Sequence, residues 1–324
     1  MIWNPLKRRA GGVSACPHLK MKKRRRKAGT IALGILLAAV LAAAGFFAYR
    51  LWQYYAAYRE DRSIYTKLRD EVLETDANED EKSSVSETDR ALESESESET
   101  GENDTGEDIL TAGKIRRRKS VPVHVNWKKL KAINPDIIGW VYFEDLPQIS
   151  YPVLQAADND YYVHRTYDLS EDGSKAGSIF MDYRMASDFS APYSIIYGHN
   201  VRDGSMLSDL SKLAEPENSG RKQYYWILTP DGNYRYRVFS IFTCGRSADV
   251  FQQSFTGWGE DFTVWEQELA SRDTAFCSAG GTIPLTGKDH VTAFSTCVPN
   301  SFNRTIVCGA CISKRQPPDP EIAK

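Results

Sequence analysis

Between Lys27 and Arg50 the chain runs AGTIALGILLAAVLAAAGFFAY, 22 residues without a charge. A helix rising about 1.5 Å per residue would carry such a run roughly 33 Å, enough for a hydrocarbon core of about 30 Å. Six consecutive basic residues, Lys22 to Lys27, stand directly before it. Lys and Arg concentrate on the cytoplasmic flank of a span, so the N-terminus is expected inside and everything after Arg50 outside. A cleaved signal peptide competes with this reading, since Ala42, Ala43 and Ala44 place small residues near the end of the run. The run exceeds the roughly 7–15 apolar residues of a signal peptide, which favours a retained anchor. Phe46, Phe47, Tyr49, Trp52, Tyr54, Tyr55 and Tyr58 form an aromatic cluster suited to the far interface.

A formal net charge of −2 conceals strong segregation along the 324 residues. Residues 1–30 carry ten Lys/Arg and no acid, while residues 70–108 carry seventeen Asp/Glu against Lys82 and Arg90. Block charge of this kind marks tails and linkers. Residues 59–73 can continue as a polar helix. The Ser/Glu-rich run after them has too few large apolar side chains to offset its ordering entropy, so it is expected to be a disordered stalk. The basic clusters flank a span and a linker rather than an aromatic-interleaved face, which argues against nucleic-acid binding. The expected organisation is a basic cytoplasmic N-terminus (1–27), a transmembrane signal anchor (28–49), a polar, acidic extracellular linker (50–120), a folded domain (121–314) and a Pro-rich tail (315–324).

Within the folded domain, short β-type runs lie between Gly, Pro, Asn and Asp. They are Gly139–Phe143, Ile149–Leu154, Ser178–Asp182, Ser194–Gly198, Tyr224–Thr229, Tyr234–Cys244, Val291–Thr296 and Thr305–Ile312. Asp231-Gly232-Asn233 has the chemistry of a hairpin turn. Eight strands in one domain suggest a mainly β, closed barrel, which removes exposed edges. Two stretches read as helices. One is Asn126–Asn134; the other is Asp261–Phe276, between strands six and seven, with Val264, Leu269 and Phe276 near helical spacing.

Five His and six Cys limit the reactive chemistry, and His18 and Cys16 fall on the cytoplasmic side. A nucleophilic Cys needs a base and an oxyanion stabiliser nearby. His199 ends one expected strand in SIIYGHN, Cys297 ends another in AFSTCVPN, and Arg304 opens the next, seven residues later. Strand ends at a barrel rim can converge, and a cation beside a thiolate suits acyl transfer. Each residue alone also fits an ordinary structural role. Cys308 and Cys311 have CxxC spacing, but no second pair accompanies them, so neither metal nor cofactor is expected. Cys244, Cys277, Cys308 and Cys311 could form up to two disulfides; a core of this size does not need them, and they are expected reduced and packed.

The blocks INPDIIGWVYF (133–143), ISYPVLQAADNDYYVH (149–164), KAGSIFMDYR (175–184), IIYGHNVRDGSMLSDL (195–210), FSTC (294–297) and NRTIV (303–307) resemble a class B sortase. Sortases of this kind are membrane-anchored cysteine transpeptidases of Gram-positive bacteria. The resemblance implies an eight-stranded sortase barrel with an N-terminal helical segment and a helix between strands six and seven. It makes His199 the catalytic His, Cys297 the nucleophile and Arg304 the active-site Arg. Asn159, Tyr162, Ser295, Thr296 and the loop before His290 are implied substrate contacts. The implied partners are secreted proteins bearing a C-terminal sorting signal, and a peptidoglycan amine as acceptor. Pilin polymerisation is the alternative role, although the Asp-Pro-aromatic lid of pilin-specific sortases is not evident; a catalytically idle envelope scaffold is another. The chain departs from the family pattern at Ala293-Phe294, which replace Thr-Leu, at Val298-Pro299 after the Cys, and in the short Cys-to-Arg spacing. Whether Cys297 and His199 rest as a neutral or an ionic pair stays open at this level.

Overall fold

The computed structural model describes residues 17–74, 121, 123–170, 174–275 and 283–315. Most of the acidic run, the basic patch 114–119, Phe276, Cys277 and the tail after Arg315 lie outside the described residues. The chain divides into two units, Met1–Ala56 and Ala57–Lys324.

The first unit contains most of helix α1 (Pro17–Val72). By length and composition this is one helix able to cross a membrane, and Ile31, Leu36, Leu41 and Phe47 are exposed along it.

The second unit is built on a closed barrel of eight strands. In chain order they are β1 (Ile137–Phe143), β2 (Ser150–Leu154), β3 (Ile179–Met181), β4 (Tyr193–Tyr197), β5 (Tyr224–Thr229), β6 (Gly232–Cys244), β7 (Val291–Cys297) and β8 (Arg304–Arg315). Around the barrel they run β8-β6-β5-β1-β2-β3-β4-β7, with β7 pairing back onto β8. The β2–β3 and β4–β7 pairs are parallel and the other pairs antiparallel. Closure leaves no edge strand to protect. These are the eight strands expected from the sequence, with ends shifted by a few residues.

Large aromatic side chains fill the interior. Phe143 stacks on Tyr225 at 4.9 Å and meets Phe294 edge-on at 5.1 Å, while Tyr225 stacks on Tyr236 at 5.0 Å. Buried aromatic rings of this kind carry a large share of a small core's hydrophobic stabilisation. Trp140 donates Nε1–H to Ser150 Oγ, and Trp226 donates to Glu144 Oε1, so neither indole is buried unpaired.

Helix α2 (Trp127–Ile133) starts at Asn126, whose side chain accepts from Lys129 N at 3.1 Å. Such a cap satisfies one of the free N–H groups of the first turn. Helix α3 (Glu260–Ser271) lies between β6 and β7 and is shorter than the sequence suggested. Its buried stripe is Phe262, Trp265, Glu266 and Leu269, spaced i, i+3, i+4, i+7, whereas Val264 is exposed. Of the apolar positions noted near helical spacing, Leu269 is thus on the buried stripe and Val264 lies off it, about 100° round the helix from Trp265. The β5–β6 hairpin pairs Thr229 with Gly232, so Pro230 and Asp231 form the turn one residue earlier than expected. Proline's fixed φ suits the first turn position.

The end of α1 also belongs to the second unit. Asp61, Tyr65, Leu68 and Val72 are buried at spacings of four, three and four, one face of a helix. The folded unit thus recruits residues well before Val121, where the sequence pattern placed its start. Leu73 and Glu74 continue this segment as a two-residue ladder with Val125 and His124.

Candidate active site

Register brings the three reactive residues together. β4 and β7 run parallel with Tyr197 opposite Ser295, so His199 and Cys297, each two residues further on, leave the barrel side by side. Gly198 N donates to Ser295 O at 3.2 Å, and the Asn200 amide donates to Cys297 O at 2.7 Å, which pins the two strand ends past the last ladder pair. Gly198 is needed for this approach: a Cβ there would lie 2.5 Å from Ile179 Cδ1 and 2.7 Å from Leu207. On the other side β7 and β8 form a hairpin in which Arg304 stands directly across from Cys297. The seven-residue spacing is therefore the hairpin's own length.

His199, Cys297 and Arg304 line one cavity of about 520 Å³. Asn159, Ser295 and Thr296 line it as well. Tyr162 does not: its ring is buried, and its hydroxyl donates to Asp136 Oδ2 at 2.7 Å and accepts from the Asn134 amide at 3.0 Å. Tyr162 therefore braces the loop after β2 against Asn134 and Asp136. His290 sits against Trp258, away from the cavity. A second cavity, about 810 Å³, lies on the other side of Cys297 and is walled by the 298–302 turn. Cys297 and Arg246 line both.

The imidazole of His199 is fixed at one nitrogen. Nε2 lies 2.8 Å from Val163 O, and a carbonyl can only accept, so Nε2 carries the proton and Nδ1 is the basic nitrogen. Burial pushes the pKa of His199 below its ordinary 6.5; the Val163 bond partly opposes this, while His164 and Arg304 add to it. His164 stacks on His199 with ring centroids 5.8 Å apart. The neutral imidazole is thus the stable form at neutral pH. Among the described residues the Arg304 side chain makes only a 3.2 Å bond to Asn303 O, leaving most of its donor fork available. Thr296 Oγ1 is buried without a hydrogen-bond partner.

A second polar group lines the same cavity and was not singled out from the sequence. Asp182 is fully buried and accepts from Arg184 Nε (2.9 Å), Arg184 Nη2 (2.8 Å), the Asn159 amide (2.9 Å) and Tyr197 OH (2.9 Å). Burial alone would raise its pKa, but these donors together hold it below the usual carboxylate range. Arg184 also donates to Phe251 O. Asn159 is accordingly committed to Asp182 and to Tyr183 N. A short strand followed by D-Y-R gave no periodic signal that could have revealed this cluster.

Among the described residues Cys244, Cys297, Cys308 and Cys311 form no disulfide. Cys308 and Cys311 lie on β8, whose register slips after Cys308 and again after Cys311. No group of three metal-capable side chains occurs among the described residues.

The chain is 31% identical over 170 residues to sortase B of Listeria monocytogenes, which is 52% of this chain and 66% of that protein. It is 26% identical over 175 residues to sortase B of Staphylococcus aureus, covering 54% and 68%. A solved Bacillus anthracis protein described as similar to sortase B is 33% identical, with 59% of this chain and 83% of that one aligned at a TM-score of 0.49. The chain belongs to the class B sortase family. Sortases are cysteine transpeptidases. The structure of Clostridium perfringens sortase B, 25% identical, aligns over 58% of this chain and all of its own length at a TM-score of 0.51. No protein-family model matches the chain, and it spans about two thirds of the length of the curated relatives it matches.

Proposed function

We propose that this sortase is a membrane-anchored transpeptidase in which Cys297 is the nucleophile, His199 the proton carrier and Arg304 the oxyanion partner. The observation that carries the reading is the meeting of these three side chains in one cavity at the ends of β4 and β7 and the start of β8. The substrate is the C-terminal sorting signal of a secreted protein. Cys297 passes its thiol proton to His199 Nδ1, and the thiolate attacks the scissile Thr carbonyl. Arg304 offsets the charge on the tetrahedral oxygen. On collapse the C–N bond breaks, and the leaving amine takes the proton from the imidazolium. A cell-wall amine then attacks the thioester; His199 accepts its proton and returns it to the departing sulfur. The lowered pKa of His199 suits it to start this cycle as a base.

The anchor is the apolar stretch of α1, with Lys22–Lys27 inside the cell and the barrel outside. Intact-mass spectrometry of the full chain in detergent micelles, given sorting-signal peptides and amine acceptors, tests the proposal. A peptide adduct on Cys297 that an amine releases is expected. Release by a Lys side-chain amine alone would favour pilin polymerisation, and an alkylatable Cys297 that never forms an adduct with any peptide would favour an idle scaffold.

A further inference from the structure

His199 is held through a route that begins on the helix preceding the acidic linker. The loop segment Tyr162–Arg165 presents Val163 O to the imidazole. That segment is clamped from behind by Ala176–Ser178: Ser178 N donates to Tyr162 O at 3.0 Å, and Ser178 Oγ donates to Arg165 O at 2.7 Å. Gly177, at φ +55°, packs its backbone against the same carbonyl that binds His199. A Cβ there would lie 2.2 Å from Val163 O, so only glycine permits the approach. Two residues of α1 hold the clamp. Tyr65 OH donates to Gly177 O at 2.6 Å and lies 3.0 Å from Ser178 Oγ, and Asp61 Oδ2 accepts from Ala176 N at 3.1 Å. Asp61 and Tyr65 are both buried, and Ser178 is wholly so. More than a hundred residues separate the two ends of each contact.

We infer that Asp61 and Tyr65 are positioning residues for His199: they press Ala176–Ser178 against Tyr162–Arg165 so that the Val163 carbonyl fixes the imidazole over the cavity. The inference rests on the catalytic role proposed for His199. A carbonyl that wanders releases Nε2, turns Nδ1 away from the sulfur and lets water reach the ring. Misplacement of a reacting group by about 1 Å can cost up to about a hundredfold in rate, so a partial loosening is expected to cost about tenfold.

Tyr65→Phe keeps the ring and deletes the bond to Gly177, while Ser178→Ala cuts the same route at its other end. Both are made in the full chain in detergent micelles with ¹³C-labelled histidine, the His199 signal being the one lost in His199→Ala. The groups acting on the imidazole are His164 from the loop after β2 and Arg304 from β8; Cys297 from β7 shares the cavity, and Asp160, Asp182, Arg184 and Arg246 complete its charged lining. Since burial is the main cause of the lowered His199 pKa, each variant is expected to move its titration up toward 6.5. Each should also lower kcat about tenfold with KM little changed, at temperatures where circular dichroism reports a folded barrel. Thr66→Ala, on the same helix but bonded only to Arg62 O, should move neither reading. A wild-type chain that transfers no peptide but whose His199 titration still moves in Tyr65→Phe would sink the proposed function and keep the positioning role. An unmoved titration in both variants, with activity tracking only the folded fraction, would overturn the inference.

Discussion

Two arginines line one cavity and are treated in opposite ways. Arg184 is bidentate to a fully buried Asp182 and donates to the Phe251 carbonyl as well. Arg304, across the β7–β8 hairpin from Cys297, is left with one long bond to its own neighbour's carbonyl. The same contrast holds for the other partners. Tyr197 and Asn159 spend their polar atoms on Asp182 and the backbone beside it, whereas His199 gives up one ring nitrogen and keeps the other. Groups that hold the site together are saturated, and the groups proposed to act on a substrate keep capacity in reserve. Saturation costs reactivity, because a carboxylate with four donors cannot take a proton near neutral pH.

The contrast can be broken most sharply at the sulfur. Cys297→Ala should abolish peptide transfer, a loss of at least about a thousandfold, with a thermal midpoint close to wild type, since the side chain is a small one at the rim. Transfer surviving in this variant would move the working set elsewhere. The saturated set should behave in reverse. Asp182→Ala leaves Arg184, Tyr197 and Asn159 without their shared acceptor and should destabilise the fold by about 3 kcal/mol in urea unfolding at pH 7. The native pKa of Asp182 lies below its unfolded value, so its contribution is present above about pH 4 and fades as pH falls through the native value. A variant as stable as wild type at pH 7 would show the cluster to be idle.

His199 sharpens the comparison through pH. Its native pKa is below 6.5, so the acid limb of kcat/KM should fall below pH 6.5, where the imidazole becomes protonated. The same depression means that stability is fully present above pH 6.5 and declines as pH drops toward the native value. An acid limb centred above pH 7 would contradict the neutral resting state. The smallest expected effect lies outside the cavity. Glu266 is buried on α3 and accepts from Gly287 N, and its Oε1 has no partner; burial and Asp289 push its pKa up to about 7. An acid with a raised native pKa loses stability as pH rises from about 4.3 through that value. Glu266→Gln keeps the acceptor and should raise stability by about 1–2 kcal/mol at pH 8 and leave it unchanged at pH 5.

Much of this architecture could be read from residues alone, and the failures have physical causes. The strands announced themselves because short β-branched and aromatic runs alternate with Gly, Pro and Asn turns. His199, Cys297 and Arg304 stood out as reactive types at strand ends, but their meeting depended on the β4–β7 parallel register, a pairing almost a hundred residues apart in sequence. The end of α1 read as polar since Asp61 sits in its buried stripe and an acidic run follows. Only a partner amide from Ala176, far along the chain, makes that position tolerable. Tyr162 looked like a pocket residue by family position; its hydroxyl turned out to be consumed by Asp136 and Asn134.

The division between holding and working groups is tested most directly by making one change in two places. Arg304→Lys and Arg184→Lys each keep the charge and remove the planar fork. Transfer rate and thermal midpoint should be measured on both. Arg304→Lys should lose about a hundredfold in kcat with an unchanged midpoint, and Arg184→Lys should lower the midpoint by several degrees while keeping kcat within about threefold. Equal losses of rate in the two variants, or a rate loss confined to Arg184→Lys, would contradict the account.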